Sequence, residues 1–225
     1  MIELIDNIIQ MIMAAMVFSI AFFRAFIKYE RESDDSHEWT LIGLFAFEYF
    51  AGDLYDALYV YFYETSSQYF YISEFCWYTS YLFMILLLVH MLKEKPFGME
   101  SRFQFLIPVF TVTMAVVFYV RNGDLVGNIV SVLIMTAAIW LVVNGLIAET
   151  RKPDKTSQKK PFYIACAVIL ALEYAMWISS SFYWPGDTLL NPYFWFDASF
   201  SISLIGLLHT MSRYHGISIG KAVRR

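Results

Sequence analysis

The sequence predicts an all-α membrane protein: a single domain over residues 1–225 with seven transmembrane helices, the N-terminus outside and the C-terminus inside. Three observations lead there. The chain is 59% hydrophobic and only 16% charged, with a mean hydropathy of +0.53, whereas a soluble domain coats itself with about a quarter charged residues. Apolar runs recur at close to the roughly 20 residues that a helix needs to cross the hydrocarbon core. Lys and Arg gather in alternate connectors, as they do in cytoplasmic loops. Strands are excluded, because the runs are too long and lack period-two alternation.

The first span runs from Ile8 to Phe26. Glu3 and Asp6 precede it while Arg24 and Lys28 follow, the reverse of a cleavable signal peptide, so a retained outside-to-inside helix is expected. The second, Thr40 to Tyr63, contains "EYFAGDLYDALYVYFYE", in which Glu48, Asp53 and Asp56 have no Lys or Arg beside them. The third runs from Tyr69 to Leu92, the fourth from Phe103 to Val120 and the fifth from Leu125 to Ala148. Phe162 to Trp184 and Tyr193 to Met211 complete the set. Spans two, three and six are the weaker ones by hydropathy, since Tyr, Ser and acidic residues interrupt them.

The connectors fix the orientation. Arg24, Lys28 and Arg31 lie in the first, Lys93, Lys95 and Arg102 in the third, and Arg151, Lys152, Lys155, Lys159 and Lys160 in the fifth. The tail adds Arg213, Lys221, Arg224 and Arg225, a basic strip suited to the inner surface. The even connectors, "ETSSQ", "RNGD" and "PGDTLLNP", offer only Arg121. This alternation requires an odd number of spans. A multi-pass protein of a cell membrane, of the bacterial plasma-membrane kind, is expected. No connector is long enough for a soluble domain, so kinase, cyclase and nucleic-acid-binding modules are not expected in this chain.

An internal repeat is legible. At one constant offset His90 matches His209, Ser80 matches Ser199, Trp77 meets Phe196 and Tyr81 meets Phe200, while "FEYFAGD" resembles "LEYAMWI" and sets Glu48 opposite Glu173. Parallel three-helix halves over 8–92 and 125–211, joined by the span 103–120, follow. Parallel repeats hold substrate at their interface near the midplane in transporters.

The acidic residues carry the functional expectation. On a helical projection Glu48, Gly52, Tyr55 and Tyr59 share a stripe, with Asp56 beside it and Asp53 further round. Glu173, Trp177, Ser180 and Trp184 line one face of span six. Glu74, Tyr78 and Tyr81 do so in span three beside Trp77, and Asp197 stands above Ser201 in span seven. Glu48 lies about 12–15 Å from the inner end of its span at the helical rise, and Glu173 is similarly deep. An ionised carboxylate facing lipid costs at least about 2.5–3.5 kcal/mol, so these groups should turn inward around a shared polar cavity. With aromatic rings they suit a cationic or polar ligand through charge and cation–π contact. Glu48, Asp53, Asp56, Tyr59, Glu74, Trp77, Tyr78, Tyr81, Glu173, Trp177, Ser180, Asp197 and Ser201 are the expected ligand-binding set.

Catalytic and metal chemistry have less to draw on. Cys76 and Cys166 fall in different spans, which disfavours a mutual disulfide and a zinc site. His209 and His215 lie six apart across a span end and His37 is in a charged loop, a poor spacing for a zinc-dependent hydrolase. No nucleophile–base constellation stands out. Neither catalytic residues nor a cofactor are assigned, and the enzyme reading ranks last.

Span seven, "FDASFSISLIGLLH", resembles the seventh helix of microbial opsins, with Asp197 in place of the Asp that precedes the retinal-bearing Lys. That Lys position is Ser201, and Trp77 stands where the third-helix Arg would be, so no Schiff base can form. Sugar- and vitamin-transporting families of 3+1+3 architecture carry prolines in their triplets, whereas Pro108 is the clear intramembrane proline here. "GD.Y" at Gly52 to Tyr55 and "WY.SYLF" at Trp77 to Phe83 resemble small uncharacterised bacterial seven-helix proteins, a likeness that implies no activity. The expected partners are the lipid bilayer, a small-molecule ligand and a cytoplasmic protein docked on the basic loops, with homo-oligomerisation left open. The first function expected is solute binding or transport through a cavity open to the outside. The alternative is a ligand-sensing receptor that signals through the cytoplasmic partner.

Overall fold

The computed structural model describes residues 2–28, 34–63, 72–93, 96–151, 159–182 and 188–222. Among them every regular element is helical. The seven long helices are α1 (Ile2–Phe23), α2 (Asp34–Tyr63), α3 (Ile72–Leu92), α4 (Leu106–Asn122), α5 (Leu125–Thr150), α6 (Lys160–Phe182) and α7 (Pro192–Ala222). Tyr69, Trp184 and the connector residues Arg31, Lys152 and Lys155 lie outside the described residues.

Five of the helical segments are long and apolar enough to cross a membrane: Asn7–Phe26, Ile72–Leu92, Arg102–Asn122, Leu125–Thr150 and Lys160–Phe182. The chain therefore has the make-up of a multi-pass helical membrane protein. The weak spans are not quite those that hydropathy suggests. α3 and α6 qualify by themselves, while α7 joins α2 below the threshold. Both of these helices carry interior carboxylates, and both run past their expected ends. α2 starts at Asp34, where Asp34 and Asp35 complement the positive end of the helix dipole. α7 continues beyond Met211 to Ala222, so the basic tail begins as helix.

Six helices close into a ring in the order α1, α2, α3, α5, α6, α7 and back to α1. α4 stands outside the ring, packed chiefly on α5. Its sequence accounts for that position: Thr111 and Phe118 are its buried residues, while Val109, Phe110, Val112, Val116 and Val120 are exposed. A helix with apolar side chains on most of its surface is at home against lipid. Inside the ring lies a close-packed layer that includes Phe45, Met84, Leu88, Leu141, Ile169 and Leu204, all at most 1% exposed. Cys166 belongs to this core and Cys76 is half-buried, both as free thiols.

Polar contacts tie the connectors down. Asn144, buried on α5, donates to the carbonyls of Pro96 (2.6 Å) and Gly98 (2.9 Å) and accepts from the Gln104 amide. Ser101 and Gln104 form a capping box at the entry to the Arg102–Phe105 turn. Between α5 and α6, Gly145 leaves room for the Tyr163 ring, which would lie 2.2 Å from a Cβ there. At the α2 N-terminus Lys93 donates to Asp34 at 2.6 Å. The hydrogen bond and the adjacent ammonium hold the Asp34 carboxyl below its usual range and raise Lys93.

Candidate functional site

A cavity of about 710 Å³ opens between the C-terminal half of α2, the N-terminal half of α3, the α4–α5 connection, the C-terminal half of α6 and the start of α7. It reaches the surface at Arg121 and Asn122, both exposed, and extends inward to Tyr49, Tyr81 and Glu173. Five carboxylates from five helices or their caps line it: Asp53, Glu74, Asp124, Glu173 and Asp197. Trp77, Tyr78, Tyr81 and Trp177 supply aromatic walls, and Ser180 and Gln10 add polar ones.

Four of the five carboxylates are set by a neighbouring donor. Trp77 Nε1 donates to Asp53 Oδ1 at 3.0 Å, and Tyr81 Oη donates to Glu173 Oε2 at 2.7 Å. Gln10 Nε2 donates to Asp197 Oδ2 at 2.5 Å, so α1 reaches the site across the α1–α7 seam. Asp124 caps α5, its Oδ1 accepting from the Gly127 amide at 3.0 Å. Tyr78 Oη donates to the Gly127 carbonyl at 3.2 Å and fixes α3 against the same turn. These bonds aim the carboxylates without neutralising them.

Trp77 owes its position to Gly52. A Cβ at residue 52 would lie 2.6 Å from the indole nitrogen, so only glycine lets the ring close on α2. That close approach turns the Tyr49–Asp53 face of α2 toward the cavity. Four of the expected site residues therefore stand elsewhere. Glu48 is half-buried and turned to Cys76 on α3. Asp56 is half-buried beyond the cavity lining. Tyr59 is half-buried between the tilted rings of Tyr55 and Tyr63, outside the cavity lining. Ser201 is buried below Asp197 without reaching the cavity wall. The remaining nine line one chamber.

Sequence reasoning missed Arg121, Asn122, Asp124, Asn128, Tyr49, Gln10 and Tyr193. Arg121, the one basic residue of the even connectors, lies at the rim of the acidic chamber. Its Nε donates to the Ser181 carbonyl at 3.0 Å and its guanidinium lies 5.8 Å from the Phe182 ring centroid, which hold it at the rim. The Gly123-Asp124 pair carried the available signal. Gly123 ends α4 at φ 77°, and Asp124 begins α5 as its cap.

Helical ring and half-open acidic chamber define the class of protein no further than a multi-pass helical membrane protein with a candidate ligand cavity. Comparison with protein families, with curated proteins and with solved structures gave no match for this chain.

Proposed function

We propose that this is a seven-span plasma-membrane protein that binds a small cationic solute from the outside, in the chamber walled by Asp53, Glu74, Glu173 and Asp197. The observation that carries this reading is the convergence of five carboxylates with Trp77, Tyr81 and Trp177, against one arginine held at the rim. A cation gains from the negative field of the chamber and from the ring faces together. Tyr, Trp and Gln side chains satisfy the carboxylates as acceptors but bring no positive charge, which is left for the ligand to supply.

Orientation follows from charge. The chamber opens at the connector containing Arg121, whereas Arg102, Arg151, Lys159 and Lys160 cluster at the other end. The inside-positive bias therefore supports a mouth on the outside. Ring order supports two three-helix halves: α1–α3 and α5–α7 each occupy a continuous arc, the two seams are α3–α5 and α7–α1, and α4 is the external joint. In a transporter the halves would rock about a ligand at their interface. The packed layer around Met84, Leu88 and Ile169, beneath the chamber floor, favours the receptor reading, in which binding is passed through a solid core to a partner on the basic loops.

Binding is tested by a thermal-shift screen in detergent with a series of alkyl ammonium ions and their uncharged isosteres. Stabilisation by the ammonium ions alone, lost in Asp53→Asn and Glu173→Gln but kept in Asp56→Asn, is the expected pattern. Equal shifts from the uncharged isosteres would remove the proposal. Uptake of the stabilising amine into proteoliposomes then separates transport from sensing.

A further inference from the structure

At the opposite end of the molecule from the chamber, a second group of side chains joins the start of α2 to the end of α7. We propose that Asp35, Glu38 and His215 form a binding site for a first-row divalent metal ion such as Zn²⁺. One ligand atom from each lies within 4.8 Å of the others. His215 Nδ1 is 3.1 Å from Asp35 Oδ1, and Nε2 is 3.2 Å from Glu38 Oε2. Asp35 and Glu38 stand three apart on one helix and so share a face, while the imidazole arrives from another helix.

The donor set is that of imidazole and carboxylate, which suits Zn²⁺ and its neighbours at metal–ligand distances of about 2.0–2.2 Å. The two short contacts lie on different ring nitrogens, so an ion on one nitrogen needs the far carboxylate to swing toward it. Each carboxylate has two oxygens, so one can hold the ion while another accepts the N–H of the second ring nitrogen. That arrangement orients histidine ligands in metal sites generally.

Charge favours a divalent ion: the two carboxylates bring two negative charges, which such an ion would balance. Burial penalises unbalanced charge, and Glu38 and His215 are only 2% and 1% exposed. The described cations nearby have nearer partners, although Lys93 also acts on Asp35 and Glu38 through space. Arg24 donates to Ser212 and lies over Trp39, Lys93 pairs with Asp34, and Lys159 donates to the Met91 carbonyl. A second feature points to a ligand. Trp39, fully buried with its ring 5.5 Å from that of His215, carries an indole N–H with no hydrogen-bond partner among the described residues. Water or hydroxide on the ion would supply its acceptor. The Asp35 side chain, 30% exposed, marks the way in from solvent. Such an ion would staple the α7 extension to the α2 N-terminus.

The test is titration of the full chain, purified in detergent and stripped with a chelator, with Co²⁺ as the optical probe. One equivalent should bind with visible ligand-field bands and be displaced by Zn²⁺. Asp35→Asn and His215→Gln should weaken it at least about tenfold, while the chamber variants Asp53→Asn and Glu173→Gln should bind as the wild type does. Helical circular dichroism checks the fold, and Asp35→Asn decides alone where His215→Gln unfolds. No bound equivalent in folded wild type, or undiminished binding by Asp35→Asn, would overturn the site and leave a histidine packed between two acids.

Discussion

Trp77 does two things at once: its indole N–H fixes Asp53, and its ring forms part of the chamber wall. Both depend on Gly52. Replacing Gly52 with Ala puts a Cβ where the indole nitrogen lies and should cost about 1–3 kcal/mol by overpacking. Thermal unfolding in detergent would measure it. The double variant Gly52→Ala/Trp77→Phe should recover stability but bind cations more weakly. No recovery of stability, with an unmoved Trp77 in a structure of Gly52→Ala, would refute the packing account. This contact also shows why Asp53 was legible only as a member of the acidic set, and why Glu48 stands away from the cavity lining. The carboxylates at 48, 53 and 56 span more than one helix face, so helical period alone cannot choose among them. The choice is made by a glycine–tryptophan contact between two helices, which no local pattern contains.

Among the elements, the α4–α5 connection links fold and site most directly. Gly123 turns the chain, Asp124 caps α5, and Arg121 is held on the Ser181 carbonyl, so one short turn supplies much of the rim. Removing the cap with Asp124→Ala should cost about 0.5–2 kcal/mol and also weaken cation binding. Hydrogen exchange over the first turn of α5, together with the binding curve, would check both. At the other end of α5, Asn144→Leu leaves the Pro96 carbonyl and the Gln104 side-chain N–H without their partner, while Trp140 Nε1 still donates to the Gly98 carbonyl. The expected loss is about 1–3 kcal/mol, read as a lower melting temperature with cation binding unchanged, since the chamber is at the far end. The seven helices themselves were plain in the sequence, because length and composition are properties of each segment alone. Less plain was the α7 extension. His215 looks like an isolated loop histidine until Asp35 and Glu38 are brought against it.

For the molecule as a whole, the ring with α4 outside is the arrangement that two three-helix halves and a joint would make. Positions that the sequence sets opposite one another nonetheless differ in surroundings. Glu173 lies at the chamber floor while Glu48 faces Cys76, and Ser80 is buried while Ser199 is exposed. Orientation has its own check: a cysteine at Asn122 should react with an impermeant maleimide on intact cells, and one at Met99 only after permeabilisation. The reverse pattern would turn the chamber to the inside. The central claim, that the carboxylates act together on one cation, is tested most directly by isothermal titration of the ammonium ion chosen by the thermal-shift screen. The account predicts saturable binding of one ion per chain, weakened about tenfold or more (about 1.4 kcal/mol per factor of ten) by Asp53→Asn and by Glu173→Gln, and unaltered by Asp56→Asn. Binding that Asp56→Asn weakens as much as Asp53→Asn does would contradict it, as would no binding at all.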